Sequence, residues 1–104
     1  MTIPRYVLNA SGEPIAETNP LKWARWFQTA DREVARDGHG NVNVSTVFLG
    51  LDHSFGAGPP VLWETMIFGG AHDEYQKRYT SRVDALTGHA RAVALAFGKK
   101  KRKP

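Results

Sequence analysis

The sequence predicts a single α+β domain, a small antiparallel β-sheet with two α-helices packed mainly on one face. Three observations carry that expectation. Two segments place apolar residues at three- and four-residue steps, and two others are dense in β-branched types. A loop rich in glycine and proline joins the latter pair. At 104 residues, 41% hydrophobic and 23% charged, the chain suits one core rather than two.

Arg5, Tyr6, Val7 and Leu8 read as a short strand, and the run from Asn9 to Pro14 has turn chemistry. Ile15 and Ala16 then return as a second short strand. Asn19-Pro20 pairs a helix cap with proline at the first helical position. Trp23, Trp26, Phe27, Ala30 and Val34 recur at helical steps among charged residues, which predicts a helix over about 20–36 ended by Gly38 and Gly40.

Residues 42–51 and 61–68 predict two strands of an antiparallel hairpin. Val42, Val44, Thr46 and Phe48 share one face, and Val47, Leu49 and Leu51 share the other. With both faces largely apolar, this pair is expected at the centre of the sheet. Simple register sets Glu64 opposite Phe48. Tyr75, Lys77 and Tyr79 fit a strand alternation, so 71–79 is read as an edge strand or irregular segment. Ser81 opens a capping box with Asp84, and a helix over about 82–97 carries Val83, Leu86, Ala90, Val93 and Phe97 on one stripe before Gly98.

Charge is unevenly distributed. Lys99, Lys100, Lys101, Arg102 and Lys103 supply five of the 14 basic residues, leaving residues 1–98 with 9 basic and 10 acidic side chains. The domain is therefore expected to span 1–98, followed by a basic flexible tail at 99–104. That tail is the candidate nucleic-acid contact, weak and without sequence preference. The chain has no cysteine, which excludes disulfides and thiolate chemistry. No apolar run reaches the ~20 residues of a membrane span and no leader pattern opens the chain, so a soluble cytoplasmic protein without membrane contact is expected.

The 52–60 segment is the most unusual. Asp52, His53, Glu64 and His72 have the residue types of an acid/base or metal site. Strand geometry, however, sets Glu64 some ~13 Å from His53. Asp52 and His53 are instead expected to bond the turn. No catalytic residue, metal or cofactor is assigned. Phe55 among Gly56, Gly58 and two prolines has the composition of a preorganised contact loop. The candidate partner surface is accordingly Asp52, His53, Phe55, Gly56, Gly58, Glu64 and His72. The competing reading is a small-molecule or nucleotide site, or a hydrolase, built on Asp52, His53, Glu64 and His72.

Several ordered motifs carry a resemblance. They are Trp23-Ala-x-Trp-Phe-x-Thr-Ala-Asp-Arg32, Val44-Ser-Thr-Val-Phe-Leu-Gly-Leu-Asp-His53, Phe55-Gly-x-Gly-Pro-Pro60, Glu64-Thr-Met-x-Phe-Gly-Gly70 and Ala85-Leu-x-Gly-His-Ala-x-Ala-Val93. Over about residues 20–95 the chain resembles a family of small uncharacterised proteins from bacteriophages and prophages. The resemblance implies a phage setting inside a host bacterium and no catalytic residue. A host or phage macromolecule is the expected partner.

Overall fold

Among the described residues, eight elements form in the order β1 (Tyr6–Leu8), β2 (Pro14–Ala16), α1 (Pro20–Thr29), β3 (Glu33–His39), β4 (Val42–Phe48), β5 (Trp63–Phe68), β6 (Gln76–Tyr79) and α2 (Arg82–Phe97). The computed structural model describes residues 3–54 and 58–98; the tail and the Phe55–Ala57 tip lie outside them. β1 and β2 make a separate antiparallel hairpin. The main sheet is antiparallel in the order β3-β4-β5-β6, so β4 and β5 are central and β6 is an edge. The α+β class is as the sequence predicts.

Register decides which residues meet α2. Val44 faces Ile67, Thr46 faces Thr65 and Phe48 faces Trp63, and all six side chains are buried under the helix side of the sheet. Glu64 pairs with Val47, one place from the expected Phe48, because Asp52 and its neighbours lengthen the loop asymmetrically. That one-residue difference sends Glu64 to the opposite face. There it accepts hydrogen bonds from Arg78 Nε at 2.9 Å and Gln76 Nε2 at 2.7 Å.

The first helix ends at Thr29, not near residue 36. Ala30 is extended, and residues 33–39 pair with β4. Helical spacing misleads here because a bulge between Glu33 and Ala35 lets Arg36 reach Glu33 in a strand, at 2.6 Å. Arg32 anchors the crossover: its carbonyl accepts from Phe48 N–H, and its guanidinium donates to Phe48 O while lying 4.0 Å from the Phe27 ring centre. Ladder bonds along β4 outweigh local helix propensity.

Of the two helices, α2 lies on the four-stranded sheet, whereas α1 packs on the β1–β2 hairpin. Trp26 nevertheless reaches the main core, edge-on to Phe48. The hairpin is tied in through Gly50, whose carbonyl accepts from Tyr6 N–H and, at 3.1 Å, from the Trp23 indole. Trp23 also donates to Tyr6 O at 3.1 Å. Gly50 sits at φ 78, and a Cβ there would meet the Phe27 ring at 3.2 Å.

The buried stripe of α2 is Ala85, Gly88, His89 and Ala92, with Val93 and Phe97 partly covered. Val83 is 72% exposed and Leu86 40%, so the expected stripe is rotated. Bulky apolar residues suggested that stripe, but small ones face inward because the helix approaches the sheet closely. The Tyr79 hydroxyl occupies the space a side chain at Gly88 would need: a Cβ would meet it at 2.1 Å. Gly88→Ala is therefore expected to destabilise by about 1–3 kcal/mol through overpacking. An exposed helix glycine would instead gain up to ~1 kcal/mol from the same change. Urea unfolding of the variant checks the sign.

Candidate functional site

Among the described residues, Asp52, His53 and Glu64 of the predicted site are each engaged in hydrogen bonds. Asp52 closes the stem of the 52–60 loop: Oδ1 accepts from Ser54 N–H at 2.8 Å and Val61 N–H at 2.9 Å, and Oδ2 accepts from the Ser54 hydroxyl at 3.0 Å. Burial acts to raise its pKa, but those bonds and the nearby His53 outweigh it and hold the carboxyl below its ordinary value. His53 donates from Nδ1 to Leu51 O at 2.8 Å. Both residues thus bond the turn. Glu64 is held by Arg78 and Gln76 on the far face of the sheet, and His72 is exposed in the β5–β6 turn. Gly58 is exposed with φ 76, and Phe55 and Gly56 lie outside the described residues.

Among the described residues, Asp52 and His53 thus sit at the loop stem, Glu64 on β5 toward β6, and His72 in the turn beyond the other end of β5. Among the described residues, no group of three or more histidine and acidic side chains is placed to hold a metal ion. Nor is any helix among them long and apolar enough to cross a membrane.

A different constellation lies at the centre of the fold. His89 Nε2 meets Asp37 Oδ2 at 2.7 Å, Nδ1 meets Thr46 Oγ1 at 2.8 Å, and Thr46 Oγ1 meets Thr65 Oγ1. The Asp37 carboxylate only accepts, so Nε2 donates to it. In the neutral ring, Nδ1 then accepts from the Thr46 hydroxyl, whose oxygen accepts from Thr65. The chain has the connectivity of an acid–base–nucleophile triad. Its hydroxyl, however, is wholly buried: Thr46 and Thr65 are both 0% exposed, beneath His89. No substrate reaches that oxygen, and the chain serves to satisfy polar groups inside the core.

Sequence reasoning missed this set because Asp37 was placed just beyond a helix rather than on β3. The signal available was Thr46 alternating with Val44 and Phe48 on an otherwise apolar face. Such a hydroxyl needs a partner, and His89 is one.

Compared with protein-family models, curated proteins and solved structures, the chain matches none.

Two outcomes follow from the bonding. Thr46→Val leaves Thr65 and His89 Nδ1 without a partner and is expected to cost about 1–3 kcal/mol. Asp37→Ala should cost less than about 1 kcal/mol, because its side chain is 55% exposed and water replaces it. Urea titration of both variants checks the ranking. Separately, because the Asp52 pKa is depressed, its contribution is present above the ordinary carboxylate value of 3.8 and is lost as pH falls through the folded value. Melting temperature should accordingly fall less steeply between about pH 5 and pH 2 in Asp52→Asn than in the parent.

Proposed function

We propose that this chain is a small accessory protein of bacteriophage or prophage type, working in the host cytoplasm as a non-enzymatic binding module for a host or phage macromolecule. The observation that carries the reading is the use of Asp52. Of the four side chains that suggested chemistry, this carboxylate is committed to closing the loop stem, His53 bonds Leu51 O, and Glu64 is taken by Arg78 and Gln76. Backbone pairing also continues past the strand ends, with Leu49 N–H bonded to Leu62 O and His53 N–H to Val61 O. A preorganised stem for the 52–60 loop is what a contact loop requires, since less ordering entropy is lost on binding. The sequence resemblance supplies the phage setting. Lys99–Lys103 add a secondary, non-specific attraction to nucleic acid.

The test uses immobilised parent, Phe55→Ala and Asp52→Ala proteins in lysate of infected host cells, followed by affinity measurement on the captured partner. Phe55→Ala is expected to weaken binding by about 1–3 kcal/mol with little change in melting temperature. A stability loss of about 3–5 kcal/mol would identify Phe55 as a packed residue and end the contact-loop reading. Removal of residues 99–104 should leave melting unchanged and abolish duplex DNA binding. In the parent, the log–log salt slope should be no steeper than about −4.5.

A further inference from the structure

One groove is left unused by the loop reading. It lies between β6 and α2, has a volume of about 340 Å³, and arises from two matching periodicities. Tyr75, Lys77 and Tyr79 alternate along the β6 side, and Asp84, Thr87 and Arg91 recur at helical steps on α2. Gly88 keeps the floor low between them.

The lining has a polarity. Tyr75 packs against the Val44–Ile67–Ala92 cluster, as do Val93 and Phe97, and is half-buried. Lys77 and Arg91 are exposed and make no ion pair among the described residues. Arg78, by contrast, is turned away to Glu64 on the opposite face. Asp84 sits in the first turn of α2, where its N–H caps onto Ser81, and is the acidic member of the lining. The floor is Tyr79, 9% exposed, whose hydroxyl is buried without a hydrogen-bond partner. Burial raises the pKa of that hydroxyl.

We propose that this groove binds a small phosphate ester carrying a flat ring, of mononucleotide size, with the phosphate between Lys77 and Arg91 and the ring on Tyr75. Two unpaired cations beside the Thr87 hydroxyl suit a compact dianion with several acceptor oxygens better than a single carboxylate. An aromatic platform next to them takes a base by stacking. The volume is at the lower end of small-molecule sites, which run from about 300 to 1,000 Å³. The site is independent of the 52–60 loop and does not rest on the reading of that loop.

The experiment is titration of the full chain with adenosine monophosphate, adenosine and inorganic phosphate, followed by amide shifts and calorimetry. Adenosine monophosphate should move the amides of residues 75–80 and 84–91. The Lys77→Ala/Arg91→Ala protein should lose at least about tenfold in affinity, a ΔΔG of about 1.4 kcal/mol. Both side chains are exposed, so the variant is expected to fold, and its spectrum checks this. Asp84→Asn should tighten binding severalfold by removing the opposing charge. Shifts confined to residues 99–104, or equal affinity in the double variant, would overturn the site. Equal binding of adenosine would overturn the phosphate contact, and equal binding of inorganic phosphate would overturn the ring contact.

Discussion

Thr46 and Thr65 face each other across the two central strands, and His89 comes down from α2 onto that pair. Hydroxyls at the buried middle of a sheet cannot be left unpaired at a cost below about 1–3 kcal/mol each. The position of α2 is set by meeting that demand. His89 fixes the rotation of the helix, and Ala85, Gly88 and Ala92 on either side allow the approach. The strand register is bound into the same arrangement. A slip of β5 by one residue would place Glu64 beneath the helix and turn Trp63 away from it.

The opposite face of the sheet is governed by charge. Glu64 is only 8% exposed, yet two donors from β6 reach it, so the edge strand is held by side chains as well as by its ladder. Glu33 and Arg36 dress the other edge in the same way, across the bulge in β3. Charged, irregular edges of this kind resist pairing with a second sheet.

Much of this architecture was legible. The caps at Asn19 and Ser81, the stop at Gly98, the central hairpin and the face shared by Val44, Thr46 and Phe48 all rest on local chemistry, which a sequence displays directly. What was not legible depended on distant partners. Glu33 and Arg36 are spaced as in a helix, and only β4 reveals them as strand. Val83 and Leu86 look like core until Tyr79 is found pressed against Gly88. The turn-bonding roles of Asp52 and His53 were readable from their place at a strand end, whereas the β6–α2 groove required knowing how two separate periodicities come face to face.

The bifurcated bond from Trp23 has a consequence for how the molecule opens. Residues 3–29 carry no fully buried side chain in α1, and join the sheet through backbone bonds to Gly50, Leu51 and Asp52 and through the partly buried Tyr6, Leu8 and Trp26. A segment so attached is expected to open as one cooperative unit, at a free energy below that of global unfolding. Hydrogen exchange would register it as a block of amides with common protection. Its release frees Asp52 N–H from Pro4 O at 3.0 Å and uncovers Gly50 at the foot of the 52–60 loop. The amino-terminal unit thereby acts as a brace for the loop stem, and loop rigidity becomes a property of a hairpin far earlier in the chain.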